Sequence, residues 1–148
     1  FNRGTAYMHI KQPDPAIKDF DKAIEMGANL PDEQLAAFYM NRGIAYMGKD
    51  DYKKSIEDFD KSIALKSKDA RVYINRGNAH SLMKNYDLAV ADYQKSLEIT
   101  PHPHIFYNLA RIYYEKRNFE QAIKNFTKTI EMDSQFAEAY SSRGLSFR

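Results

Sequence analysis

The sequence predicts an all-α superhelix, a solenoid of stacked helical hairpins, and three observations carry that prediction. A tripeptide recurs as Asn2-Arg3-Gly4, Asn41-Arg42-Gly43 and Asn75-Arg76-Gly77, with weaker echoes at Asn108-Leu109-Ala110 and Ser142-Arg143-Gly144. The small residues at 4, 43, 77, 110 and 144 are spaced by 39, 34, 33 and 34 residues. Twelve residues after each of the first four comes another small residue (Ala16, Ser55, Ala89, Ala122), and four further on an aromatic one (Phe20, Phe59, Tyr93, Phe126). A period of this length marks a two-helix unit that cannot bury its apolar face alone and therefore stacks on its neighbours.

Taken in order, the units run roughly 1–35, 36–69, 70–102 and 103–136, followed by a final half-unit helix over 137–148. Within a unit the apolar residues fall at helical spacing, as in Phe38, Tyr39, Ala45 and Tyr46 and then Ile56, Phe59 and Ile63. Short polar breaks (Lys49-Asp50-Asp51, Lys84-Asn85, Arg117-Asn118) separate the two helices of each pair. The small residues let paired helices approach closely, and the facing aromatics fill the space between neighbouring hairpins. The first spacing is five residues longer than the second, and the extra material lies around Gly27-Ala28-Asn29-Leu30-Pro31-Asp32. Glycine and proline there predict a lengthened loop, with Asp32 or a neighbour capping the next helix. The chain starts inside a helical pattern at Phe1 and stops inside one at Arg148, so further repeats are expected on one or both sides.

One polar pairing recurs with the period. Sixteen residues after Arg3, Arg42 and Arg76 stand Asp19, Asp58 and Asp92, whereas in the fourth unit Leu109 is matched by Asn125. Both partners change together, which predicts an ion pair between the two helices of a hairpin, structural in role.

Composition narrows the function classes. The 148 residues carry a net charge of +2 from 22 basic and 20 acidic side chains, without a long run of one sign. A nucleic-acid surface would gather basic residues on one face, so none is expected. There is no apolar stretch of about 18 residues to span a membrane, nor an opening signal-peptide pattern. Cysteine is absent, which removes disulfides, thiolate metal sites and cysteine nucleophiles. His102 and His104 flank Pro103 without an obvious third ligand, a poor metal site. No phosphate loop, Ser-His-Asp set or paired carboxylate suggests catalysis, and no cofactor is expected.

The repeat resembles the tetratricopeptide repeat, whose aromatic, Gly, Tyr, Ala and Phe signature reads here as Tyr39…Gly43…Tyr46…Ser55…Phe59. It continues as Tyr73…Gly77…His80…Ala89…Tyr93…Pro101, then Phe106…Ala110…Tyr113…Ala122…Phe126, and ends with Tyr140…Gly144…Phe147. The resemblance covers essentially the whole chain. It departs where Arg precedes the Gly in place of Leu, where His80 replaces a Tyr, and where the closing Pro survives only at Pro101.

The resemblance implies a protein-interaction scaffold or adaptor, in which the first helices of successive hairpins line a concave groove for a partner's peptide. Carried over by repeat position, the groove is expected at Phe1, Asn2, Thr5, Met8 and His9, then Met40, Asn41, Ile44 and Met47. It continues with Arg71, Ile74, Asn75, Asn78 and Leu82, and with His104, Tyr107, Asn108, Arg111, Tyr114 and Glu115. Asn2, Asn41, Asn75 and Asn108 stand at one repeat position, and a side-chain amide can pair with any peptide backbone. That resembles the asparagine ladder in the repeat domain of the O-linked N-acetylglucosamine transferases, which grips an extended peptide by its main chain. Met8, Met40, Ile44, Met47 and Ile74 are expected to add an apolar strip suited to varied side chains.

The family's chaperone-tail clamp needs Lys and Asn on one first helix, Asn on the next and a basic pair on the third. Phe1, Thr5, Asn41, Arg71 and Asn75 meet it only at Asn41 and Arg71. Met40, Ile44, Asn75, His104 and Asn108 meet it once, and Ile74, Asn78, Asn108, Glu138 and Ser142 twice without a basic residue. A chaperone C-terminal tail is therefore not the expected ligand. Two other readings stand beside the scaffold: a regulatory or targeting domain of a larger enzyme, and an array that self-associates by end-to-end stacking.

Overall fold

A computed structural model describes residues 13–65 and 68–147. Among them are eight α-helices and no strand: α1 (Pro13–Glu25), α2 (Asp32–Met47), α3 (Tyr52–Ala64), α4 (Ala70–Leu82), α5 (Tyr86–Ile99), α6 (Pro103–Glu115), α7 (Phe119–Met132) and α8 (Ala137–Ser146). The predicted solenoid of tetratricopeptide-type hairpins is what the chain forms. α2 pairs with α3, α4 with α5 and α6 with α7, and each pair packs on the next.

The long first loop is ordered as a 3-10 turn, Met26–Asn29. The cap position of α2 falls on Pro31 rather than Asp32, and no side chain caps it; Asp32 and Glu33 instead place their charges in the first turn. Carboxylates there complement the positive end of the helix dipole.

Each hairpin turn uses one device three times. Asp50, Lys84 and Arg117 adopt left-handed backbone (φ 59°, 61° and 57°). The residue after each donates its N–H back to the carbonyl of Tyr46, His80 or Tyr113, at 3.0, 2.9 and 2.8 Å. This is a Schellman-type closure, which satisfies carbonyls that the ending helix leaves open. Asp51 and Asn118 then cap the second helices by accepting from Lys54 and Gln121 N–H.

The core repeats in the same way. Met40 from α2, Phe59 from α3 and Val72 from α4 form one cluster. Ala89 and Tyr93 from α5 meet Ile105, Leu109 and Ile112 from α6 in the next. Ala110, Ala122, Phe126, Phe136 and Ala139 tie α6, α7 and α8. Two glycines are required by close approach. A Cβ on Gly43 would lie 2.8 Å from Phe59 Cε1, and one on Gly77 2.9 Å from Tyr93 Cε1. Contacts so short cannot be accommodated without displacing a buried ring.

The predicted Arg–Asp pairs form at Arg42–Asp58 and Arg76–Asp92; Arg3 lies outside the described residues. Arg42 donates through Nε and Nη2 to the two carboxylate oxygens of Asp58, both at 2.7 Å. Arg76 does the same to Asp92 at 2.9 and 2.6 Å. The remaining Nη1 reaches back to the preceding hairpin, to Asp21 at 2.7 Å and Asp60 at 2.5 Å. Each arginine thus fastens three helices. The charge-assisted bonds to these carboxylates raise both guanidinium pKa values further above their already high range. In the fourth unit Leu109 is buried among apolar side chains, and Asn125 turns its amide onto the Gln121 carbonyl at 2.9 Å.

Candidate partner-binding groove

The first helices α2, α4, α6 and α8 present equivalent faces. Asn2 and Met8, with Phe1, Thr5 and His9, lie outside the described residues. Of the others, Met40 corrects the expectation. It is 5% exposed and packs with Phe59 and Val72, because its position falls on the seam between two hairpins rather than on an open face. Ile44 and Met47 are half-buried against that cluster, and Ile74 is half-buried against the next one. The apolar strip is therefore anchored in the core and offers only its edges.

Polar side chains on this face divide into engaged and free. Asn41 and Asn75 are half-buried, and neither side-chain amide forms a hydrogen bond among the described residues. Asn78 is committed: its Oδ1 accepts from the Tyr93 hydroxyl at 2.6 Å and from Asn108 Nδ2 at 3.3 Å. The bond to Asn108 crosses from α4 to α6, so it stitches the third and fourth units across the groove face itself. Burial pushes the Tyr93 hydroxyl up to about 12, against the opposing effects of the Arg111 charge and Asn108, so its proton stays in place to donate at neutral pH. Tyr93 is a residue that repeat position alone marks as core filler. The available signal was its hydroxyl, since the equivalent positions carry Phe20, Phe59 and Phe126.

Charges and larger side chains complete the face. Arg71 is exposed but tied at its own helix start, where Nε and Nη2 grip the Asp69 carboxylate at 2.5–3.0 Å. Arg111 is exposed, and Tyr107 packs tilted between Phe126 and Phe136 with ring centroids 5.7 and 4.9 Å away. Leu82 and Tyr114 stand 57% and 37% exposed at the ends of α4 and α6, giving the face two apolar contacts open to solvent. His104 stacks on His102 and meets the Phe136 ring edge-on. Among the described residues no group of three or more His, Cys, Asp or Glu side chains could hold a metal ion, and no helix is long and apolar enough to cross a membrane.

With this geometry in view, family models of the tetratricopeptide repeat match residues 1–28, 36–69, 70–103 and 103–136. The comparison with curated proteins gave no match. Among solved structures, the crystal structure of MamA is 23% identical with a TM-score of 0.87, covering 97% of this chain and 82% of that one. YrrB, described as a TPR protein with an unusual peptide-binding site, is 18% identical with a TM-score of 0.81, covering 97% and 72%. The first TPR of Spaghetti (RPAP3), bound to the HSP90 peptide SRMEEVD, is 16% identical with a TM-score of 0.73, covering 77% and 91%. At such identities the likeness concerns the fold.

Proposed function

Because the chain belongs to the tetratricopeptide repeat family, we propose that it is a non-catalytic scaffold that binds a segment of a partner protein along the face shared by its first helices. The observation that carries this reading is the pair Asn41 and Asn75, set one repeat apart, with amides that no side chain or backbone group among the described residues engages. Each amide can donate to one backbone carbonyl and accept from one N–H of an extended segment, whatever its sequence. Leu82 and Tyr114, exposed at the C-terminal ends of α4 and α6, supply apolar contact beside them. Recognition of this kind uses main-chain hydrogen bonds for affinity and a few side-chain contacts for specificity. Two neighbouring structures with peptides or a peptide-binding site in their descriptions support the class of ligand.

The test is a pull-down from the source cells with the wild-type chain and an Asn41→Ala/Asn75→Ala variant side by side, followed by titration of the captured partner. The double variant loses four hydrogen bonds at about 0.5–1.5 kcal/mol each, so it is expected to bind roughly thirty-fold more weakly or worse. A partner held equally by both proteins would refute the groove.

A further inference from the structure

The outer face of α7 repeats that of α1 with two changes. Lys18-Asp19-Phe20-Asp21-Lys22 and Lys124-Asn125-Phe126-Thr127-Lys128 occupy the same repeat positions, and both aspartates of the first are replaced by neutral residues in the second. The second aspartate has a structural task. Asp21, and Asp60 at the same position one unit later, each accept from Nη1 of the next hairpin's arginine, Arg42 at 2.7 Å and Arg76 at 2.5 Å. In their place Thr127 Oγ1 accepts from Arg143 Nη1 at 3.2 Å, a longer bond to an uncharged oxygen.

The surroundings of Thr127 set its hydroxyl apart. Ser55, Ser62, Ser96 and Thr129, the other serine and threonine side chains of α3, α5 and α7, are fully buried, whereas Thr127 is half-buried. Thr129 donates its proton to the Asn125 carbonyl at 3.0 Å, while the Thr127 proton has no acceptor among the described residues. Thr127 lines an open cavity of about 430 Å³ together with Phe106, Lys124, Asn125, Lys128 and Glu131. Lys128 bonds to Glu131 at 3.1 Å, and Lys124 has no acidic partner among the described residues. This openness is a property of the repeat position. The Asp21 and Asp60 side chains are 43% and 56% exposed although a complete hairpin follows each, and Lys18, Lys22, Glu57 and Lys61 beside them are exposed as well.

We infer that Thr127 is a phosphorylation site, and that its phosphate takes the role that Asp21 and Asp60 hold at the earlier junctions. Thr127 Oγ1 attacks the γ-phosphorus of a nucleoside triphosphate carried by a protein kinase. The new O–P bond forms as the bond from that phosphorus to the bridging oxygen breaks. The nucleoside diphosphate leaves with the electron pair, and the hydroxyl proton passes to a base of the kinase. Repeat arrays open in sections, which presents the α7 segment to the enzyme. Lys124 and Lys128 give a kinase with an acidic substrate cleft its charge complement. The product carries about −1.5 to −2 charge at pH 7 and three strong acceptor oxygens. One oxygen takes over the bond from Arg143 Nη1, and the two lysines of the cavity wall serve the others. Only Nη1 of Arg143 is needed, as with Arg42 and Arg76, whatever its other nitrogens bind. Two junctions of the array thus hold a permanent anion, and the junction of α7 with α8 holds one that is added and removed.

Phosphopeptide mapping by mass spectrometry of the protein isolated from its source cells is expected to find phosphate on Thr127. Thr127 unmodified, or phosphate on other residues alone, overturns the site. A second arm compares the chain carrying phosphothreonine at 127 with the unmodified chain by amide hydrogen exchange. Exchange in α8 is expected to slow roughly three- to tenfold on phosphorylation, with α2 and α3 unchanged. Thr127→Asp is expected to reproduce part of the slowing, and Arg143→Gln to abolish the difference that phosphate makes. Exchange in α8 that phosphate leaves unchanged, or slows equally in the Arg143→Gln chain, overturns the fastening role. None of these readouts involves Asn41 or Asn75, so the groove reading stands or falls separately.

Discussion

Replacing Arg42 by Leu isolates the energetic role of the three-helix ion network. Asp58 is 2% exposed, and both of its carboxylate oxygens are held by Arg42 at 2.7 Å. Removing the guanidinium leaves a buried charge without a counterion, which costs about 3–5 kcal/mol. Asp21, the third member, is 43% exposed and regains water, so its share is about 1 kcal/mol or less. The fourth unit supplies the matched control, because Leu109 and Asn125 occupy these two positions there and the Asn125 amide bonds to the carbonyl four residues earlier. An Arg42→Leu/Asp58→Asn variant copies that arrangement and is expected to lose only about 1 kcal/mol. For a chain of this size 1 kcal/mol corresponds to about 2–4 °C in Tm. The single variant is therefore expected to melt roughly 6–20 °C below wild type, and the double variant within about 4 °C of it. Thermal unfolding followed by far-UV circular dichroism reads the midpoints. Hydrogen exchange in α2 and α3 locates the loss, since repeat arrays can open in sections. If the double variant is as unstable as the single one, the orphaned-carboxylate argument is wrong, and the cost lies in the loss of the guanidinium over the Tyr39 and Tyr46 rings.

Two further outcomes follow from buried polar atoms. The Ser55 hydroxyl is fully buried without a hydrogen-bond partner, whereas Ala89 and Ala122 fill the same position in later units. Ser55→Ala is expected to raise stability by about 1 kcal/mol in urea unfolding, and an unchanged or lowered midpoint would contradict it. Burial lowers the pKa of His80, with the nearby Asp92 opposing it and Arg76 reinforcing it, and its Nδ1 is unpartnered. The folded state therefore resists a proton that the unfolded chain accepts near pH 6.5. Stability is unaffected by this group above that pH and falls as the pH drops below it, by at most about 1.4 kcal/mol per pH unit. His80→Tyr, the residue found at Tyr46 and Tyr113, should flatten that part of the pH dependence; equal slopes in wild type and variant between pH 7 and 5 would refute the assignment.

The repeat itself determined the all-α solenoid, the paired helices and the ion pairs within hairpins. Each of these depends on residues at a fixed spacing within one unit, so a single chain displays it several times over. Arg42 and Arg76 were legible as partners of Asp58 and Asp92 for that reason, and the joint change to Leu109 and Asn125 pointed the same way. Their bonds to Asp21 and Asp60 were not read, although both aspartates stand in the sequence, because the contact crosses to the preceding hairpin and its separation changes with the loop between them.

Only the tertiary structure decided which positions of the first helices remain available. Met40 and Ile44 look alike as apolar residues on one helix, yet one lies in the seam between hairpins and the other at its edge. Asn78 and Asn75 look alike as amides, yet the Tyr93 hydroxyl and Asn108 consume the carbonyl of the first and leave the second open. Availability is a property of the space between units, and the stacking of neighbouring hairpins sets that space.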